Sequence, residues 1–424
     1  MDASRPNSLD RSFKGFPPMA APCSVETVGQ YKWDLFNDDL PYPIAVIKQA
    51  ELEHNLRWMQ AFADERNVFI APHGKTTMSP QLFRRQLELG AWGLTFATVY
   101  QIGAGLEAGA KRIIIANQVL GCADLDALAY WLESMQGLRV WFLVDSQAQV
   151  DQIESWTHRR ASTLRFDCLL EIGIEGQRTG CRTFDQAINV ARRIRNSNSL
   201  SLGGVECYEG VLAHCQSERD RDAVEALMAR VKDIATECDR LRLFEDDQII
   251  ISAGGSAVFD LVVPGLRASL SKPVTGVLRS GCYITHDHDF YSKMLRNVEQ
   301  RQGLKDSLQP ALEVWTMVQS APEPGLAILS CGKRDISYDL SMPVVTHYCP
   351  RGSRSKLPAP ADWVISALND QHAYLHFAAE SSGPMVGDRV ILGISHPCTT
   401  FDKWSWLPIV DEAGVVTSAV TTRF

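Results

Sequence analysis

Several things are scarce in this sequence, and each scarcity excludes something. No stretch approaches the roughly 20 uninterrupted apolar residues that a membrane helix needs. The first twenty residues carry Arg5, Asp10, Arg11 and Lys14 with no apolar run between them. Neither a transmembrane anchor nor a secretory signal peptide is expected from this pattern. Positive charge is not in excess, since 42 Lys and Arg stand against 50 Asp and Glu, a formal net charge of −8. That excludes a uniformly basic nucleic-acid-binding surface and leaves room only for a local basic pocket. Cysteine occurs eleven times, scattered and never as Cys-x-x-Cys. Neither a disulfide framework nor a zinc ribbon fits that distribution, whereas a reducing cytoplasm does.

What is there is a chain of 424 residues, 45% hydrophobic and 22% charged, long enough for two domains. Between residues 40 and 275, short apolar runs alternate with helical patterns. The runs are Ile44–Ile47, Val68–Ala71, Gly93–Ala97, Arg112–Asn117, Val140–Asp145, Phe166–Ile172, Gly204–Tyr208 and Gln248–Ser252. Most are continuously apolar, as parallel strands covered on both faces should be. Intervening stretches such as Ala50–Glu65, Ser79–Leu89 and Asp220–Cys238 have helical spacing. Eight βα units predict a (β/α)8 TIM-like barrel over 40–275, with an open doubly wound sheet as the alternative. After residue 275 helical patterns thin out, and turn residues such as Pro322-Glu323-Pro324-Gly325 punctuate short strands. Residues 276–424 therefore read as a mostly antiparallel β domain, with 349–361 as an exposed loop. Residues 1–39 read as an N-terminal segment, either partly disordered or packed on the β domain.

In such a barrel the chemistry sits where strands run into their following loops. The second apolar run leads into Pro72-His73-Gly74-Lys75-Thr76-Thr77. A lysine at that mouth can form an imine with an aldehyde cofactor, although most lysines are simply solvated. The Gly74-Lys75-Thr76 triplet is not the end of a P-loop, because the glycine required five residues earlier is Phe69. The sixth run precedes Glu175-Gly176-Gln177-Arg178-Thr179-Gly180, which sets an arginine on the same rim. The seventh ends at Tyr208-Glu209-Gly210, with His214 soon after. The last leads into Ser252-Ala253-Gly254-Gly255-Ser256, where glycines let backbone N–H groups approach a phosphate.

Taken in this order, the Pro-His-x-Lys-Thr, Gly-x-Arg-Thr-Gly, Tyr-x-Gly and Ser-x-Gly-Gly-Ser segments resemble the alanine-racemase-like, fold-type III pyridoxal-phosphate enzymes. Within them the likeness is to the D-serine dehydratase and D-threonine aldolase group. It covers roughly residues 40–405. The resemblance implies that Lys75 holds pyridoxal 5'-phosphate and is the catalytic base. It further implies cofactor contacts from Arg178, Tyr208, Gly254, Gly255 and Ser256, and a homodimer. Family members commonly carry Arg-Pro-His-x-Lys-Thr-His-Lys, whereas this chain has Ala71 for the arginine and Thr77-Met78 at the end.

The C-terminal half adds His396-Pro397-Cys398. On an extended segment a His-x-Cys spacing puts both side chains on one face, and imidazole plus thiolate suits Zn2+ with positions left open. By resemblance, His-x-Cys points to the zinc-dependent dehydratases, whereas the aldolases typically carry His-x-Asp. The implied reaction is β-elimination from a D-hydroxy amino acid such as D-serine, giving an α-keto acid and ammonia. Retro-aldol cleavage to glycine and an aldehyde is the alternative, and a non-catalytic pyridoxal-phosphate-binding protein is an alternative of another class. A second cluster, His286-Asp287-His288-Asp289, reads as a solvated or interface loop, and His372 as a possible neighbour of the site.

Overall fold

The computed structural model describes residues 8–213 and 217–424. Seven of the eight apolar runs, joined by Val274–Leu278, form one parallel eight-stranded sheet. Its strands are Phe69–Ile70, Leu94–Phe96, Arg112–Gln118, Arg139–Val144, Phe166–Ile172, Leu200–Cys207, Ile249–Ala253 and Val274–Leu278. From the second onward each pairs in parallel with the next, and the last returns to the first through Val277 opposite Phe69 and Leu278 opposite Ile70. The remaining seam closes through a parallel bridge between His73 and Thr95 and a 2.9 Å bond from Thr95 N–H to Pro72 O. A sheet whose ends meet is a barrel, so the open-sheet alternative is set aside.

The strand read first in the barrel is not part of it. Ile44–Lys48 pairs antiparallel with Leu312–Glu323 and in parallel with Trp406–Val410, inside the β domain. Ile44, Ala45, Val46 and Ile47 are all fully buried. A short apolar run covered on both faces has the same pattern in either sheet, so periodicity could not assign it. Val274–Leu278 takes the vacant place as eighth strand. Every site loop therefore moves back by one position. Lys75 follows the first barrel strand, Arg178 the fifth, Tyr208 the sixth and Gly254-Gly255 the seventh.

The β domain is a ten-stranded, largely antiparallel sheet system built around Leu312–Glu323, which pairs with Leu326–Leu329, Arg389–Gly393 and Ile44–Lys48. Two helices, Phe290–Gln302 and the short Cys398–Phe401, lie in the region where helical patterns thin out. Because the second begins at Cys398 with Pro397 already helical, His396-Pro397-Cys398 is not the extended segment expected. Of the N-terminal segment, residues 8–39 lie against this domain. Leu35 N–H bonds Gly414 O, Arg389 reaches Phe36 O at 2.7 Å, and Lys14 pairs with buried Asp335 at 2.9 Å.

Inside the barrel, Ala71, Ile114, Trp141, Leu143, Leu169, Ile250 and Val277 form an inner core separate from the main one. Side chains alternate along a strand, so the residue two positions on from an inward side chain also points inward. Two positions beyond Leu169, Ile250 and Val277 stand Glu171, Ser252 and Arg279. The inner face thus turns from apolar to ionisable at the barrel's C-terminal mouth.

Candidate active site

That mouth opens into a cavity of about 340 Å³ whose wall includes His73, Lys75, Arg178, Tyr208, Gly254, Ser256, His396 and Cys398. The structure therefore brings seven of the eight expected site residues to one space. The eighth, Gly255, sits beside it at φ +81°, a left-handed conformation that favours glycine, and a Cβ there would come within 2.3 Å of Leu278. His214 lies outside the described residues.

Lys75 stands in a single turn, Gly74–Thr76, and is exposed to the cavity. Among the described residues no carboxylate pairs with it. Behind it, half-buried His73 has a buried Nδ1 with no hydrogen-bond partner among the described residues. Burial first, then the charges of Lys75, Arg279 and Arg178, hold His73 well below its usual range, which keeps the ring neutral. The Arg178 guanidinium lies 4.4 Å over the Tyr208 ring, a cation–π contact that fixes both on the rim.

At the cavity floor, buried Arg279 pairs with fully buried Glu206 at 2.5 Å and bonds Ser252 Oγ at 2.7 Å. Burial raises Glu206 to about 8 even beside that guanidinium. The Gly254-Gly255 turn shows something the sequence did not. Both its N–H groups, expected to face a phosphate, donate to the buried Glu209 carboxylate. Phosphate contact through these two groups would require Glu209 to give way, while Ser256 lines the cavity unobstructed by it.

On the opposite wall, His396 Nδ1 lies 2.6 Å from Asp339 Oδ2, and Asp339 Oδ1 accepts from Thr399 at 2.6 Å. That carboxylate fixes the imidazole so that Nε2 is left for another partner. Burial alone would lower His396, but the hydrogen bond and charge of Cys398, with Asp339, carry it up to about 9. The Cys398 thiol is held well below its usual range by the Cys282 hydrogen bond and, against burial, by the His396 charge. Cys398 Sγ lies 3.7 Å from Cys282 Sγ and 3.5 Å from the Thr76 hydroxyl, one residue along from Lys75. Among the described residues no three His, Cys, Asp or Glu side chains are grouped to hold an ion. The donor chemistry is that of a two-ligand open site, an oriented imidazole beside a thiolate, which suits a borderline-soft ion such as zinc.

Asp339, Cys282, Glu209 and the Glu206–Arg279 pair were not singled out in the sequence. Only Arg279 and Glu206 carried a usable signal, each lying on the inward-facing register of a barrel strand. His372 is exposed in the turn between Val364–Leu368 and Ala373–His376, away from the cavity lining. The His286–Asp289 cluster is no solvated loop, because His286 and Asp287 are buried.

Residues 47–270, more than half of the chain, match the family model "Alanine racemase, N-terminal domain", and residues 311–410 match "Putative serine dehydratase domain". The chain belongs to the alanine-racemase-like, fold-type III pyridoxal-phosphate enzymes. Among curated relatives of this fold-type III protein, a D-threonine aldolase of Arthrobacter sp. is 25% identical over 374 residues, 88% of this chain and 90% of that one. A D-threo-3-hydroxyaspartate dehydratase of Delftia sp. (strain HT23) is 25% identical over 375 residues, 85% and 92% of the two chains. A cysteine-to-alanine mutant of D-threo-3-hydroxyaspartate dehydratase, in the metal-free form, matches at TM-score 0.68 and 21% identity over 91% of this chain and 98% of its own. The crystal structure of D-threonine aldolase from Filomicrobium marinum matches at TM-score 0.73 and 24% identity over 91% and 95%.

The cavity fits the family's cofactor. It offers a lysine amine and an imidazole nitrogen, at His73, that have no partner among the described residues, and cationic side chains for an anionic ring and phosphate. No helix among the described residues is long and apolar enough to cross a membrane.

Proposed function

We propose that this protein is a metal-assisted, pyridoxal-phosphate-dependent lyase that eliminates the β-hydroxyl of a D-hydroxy amino acid, with D-serine the first substrate to test. The observation that carries the reading is the placing of His396 and Cys398 on the same cavity as Lys75, with Thr76 joining the two walls. The names of the curated relatives, aldolases and a dehydratase of D-hydroxy amino acids, support the substrate class.

Pyridoxal phosphate, when bound, supplies an aldehyde for an amine and an electron sink for charge developing at Cα. Lys75 is the amine that would hold it. Once displaced by a substrate amine, the Lys75 side chain is free to take the Cα proton as general base. Arg178, stacked on Tyr208, gives a fixed positive charge at the rim, and Ser256 offers a hydroxyl at the glycine turn. The Glu206–Arg279 pair supports the floor beneath. A divalent ion on His396 and Cys398 would supply Lewis acidity for a departing hydroxyl. Asp339 orients the imidazole that would bind it. The metal-free form of the mutant dehydratase supports a metal in this group. A homodimer and a cytoplasmic location belong to the same reading.

The second reading, retro-aldol cleavage, is favoured by the D-threonine aldolase relative, which is as similar as the dehydratase. The test is to assay D-serine, D-threonine and 3-hydroxy-D-aspartate while measuring keto acid, ammonia, glycine and aldehyde together. Keto acid and ammonia support elimination; glycine and an aldehyde replace it with the aldolase. Borohydride reduction of the holoenzyme should mark Lys75, and Lys75→Ala should lower turnover by more than about 10³-fold, since both imine chemistry and the base are lost. A label on another lysine overturns the assignment.

A further inference from the structure

Cys282 touches Cys398 but has no step in the function proposed above. It begins the short turn Cys282–Ile284 after the eighth barrel strand, and it is 5% exposed. Its Sγ lies 3.7 Å from Cys398 Sγ, in a contact that joins residues 116 positions apart. Among the described residues this is the one cysteine–cysteine contact at hydrogen-bonding distance. The Thr76 hydroxyl touches both sulfurs, at 3.8 Å from Cys282 and 3.5 Å from Cys398. Both cysteines line the cavity that holds Lys75, so a small polar reagent entering it meets them together. Elsewhere the buried cysteines have other neighbours, such as Met228 at 3.6 Å from Cys207 and Ser201 O at 3.4 Å from Cys168.

We propose that Cys282 and Cys398 are a reversible redox pair, closed to a disulfide by peroxide, and that closure removes Cys398 from the metal position. The effect on metal and activity rests on the function proposed above; formation of the disulfide does not. The two sulfurs need to approach by less than 2 Å to reach the roughly 2.05 Å of a disulfide bond. Cys398, half-buried where Cys282 is buried, is the sulfur an oxidant reaches first. Its thiolate attacks one peroxide oxygen, the O–O bond breaks, and a sulfenic acid and hydroxide form. The Cys282 thiol, which its contact with Cys398 and then burial hold protonated, attacks that sulfur; the S–O bond breaks, and the thiol proton goes to the departing hydroxide so that water leaves. In sum, two thiols and one hydrogen peroxide give one disulfide and two waters. The bond would tie the barrel mouth to the β domain directly over Thr76.

The test uses full-length holoenzyme, both chelated and zinc-loaded, treated with one to five equivalents of hydrogen peroxide. Remaining thiols are blocked with an alkylating agent before non-reducing peptide mapping. A Cys282–Cys398 cross-linked peptide, lost on treatment with dithiothreitol, is the expected result in the chelated protein. The zinc-loaded protein should release about one equivalent of metal to a chromogenic chelator as the same peptide forms. In Cys282→Ser the cross-link should be absent, and Cys398 should accumulate as sulfinic acid that dithiothreitol does not reverse. Oxidation of Cys398 to sulfinic acid in the chelated wild type, with no cross-link, would overturn the proposal. A cross-link in a protein that never takes up zinc keeps the redox pair and removes the metal reading, so the two failures are distinguishable.

Discussion

His286-Asp287-His288 and His396-Pro397-Cys398 both place two metal-capable side chains one residue apart, yet the fold uses them in opposite ways. In the first, Asp287 accepts from the N–H groups of Asp289, Tyr291 and Ser292 and so caps the helix Phe290–Gln302. Its carboxylate is consumed by backbone. His286 Nδ1 lies near Ser292 Oγ and Asp287 O, while His288 Nδ1 has no partner among the described residues. The His288 ring packs against Gly393, where a Cβ would lie 2.4 Å from its Cγ. Burial drives His286 down to about 4 and His288 to about 3. In the second segment a carboxylate from 57 residues away holds the imidazole, and a cysteine from 116 residues away holds the thiolate. Equal spacing therefore says little. What separates a capping turn from a candidate ligand pair is which distant groups arrive to orient and charge it.

The contrast can be broken most severely at Cys398. Cys398→Ala should lower zinc affinity by more than about 100-fold, beyond the usual range for losing an outer-shell partner, and elimination should fall with it. His286→Asn, in the other segment, should leave zinc stoichiometry unchanged. Equilibrium dialysis of both variants, with keto-acid release measured in parallel, checks this. Loss of zinc in His286→Asn would show that the capping segment also serves the metal.

Asp339→Asn sharpens the comparison with a smaller effect. The amide can still reach His396 but carries no charge, so zinc affinity should fall by roughly 10- to 100-fold while the fold persists. Zinc titration against a competing chelator, with thermal unfolding as control, reads the two separately. An unchanged affinity would make Asp339 a structural neighbour only.

How far this was legible in the sequence follows from the same contrast. That Lys75, Arg178, Tyr208, Ser256, His396 and Cys398 would line one cavity could be expected because each lies beside glycine, proline or threonine in a short segment with its own pattern. Asp339, Cys282 and Glu209 could not, because each acts through a partner distant in sequence or takes a hydrogen bond expected of a ligand. The barrel was legible from seven of its eight buried runs. Its starting strand was not, since Ile44–Lys48 is as apolar in the β domain as it would be in a barrel. The helix Phe290–Gln302 was hidden because its capping aspartate sits among histidines in a segment that read as a solvated or interface loop.

The smallest expected effect concerns His288, and its sign can be worked out. An unfolded histidine takes up a proton near pH 6.5, whereas burial delays protonation of His288 in the folded chain to about 3. Between these values the unfolded state binds more protons, so stability present above pH 6.5 is lost as pH falls through the folded value, at up to about 1.4 kcal/mol per unit. Other groups bend the same curve. Asp287, raised to about 6 by burial, contributes stability below its unfolded value of 3.8 that is lost as pH rises through 6. His396, raised to about 9, contributes stability below 6.5 that is lost as pH rises through 9. Both remain in His288→Leu, so the difference between wild type and variant isolates His288. Urea unfolding of the two chelated proteins at pH 7, 6 and 5 should show wild-type stability falling relative to the variant by about 1 kcal/mol from pH 6 to pH 5. Parallel curves would mean that His288 is solvated or already protonated, and the two segments would then differ less than their burial indicates.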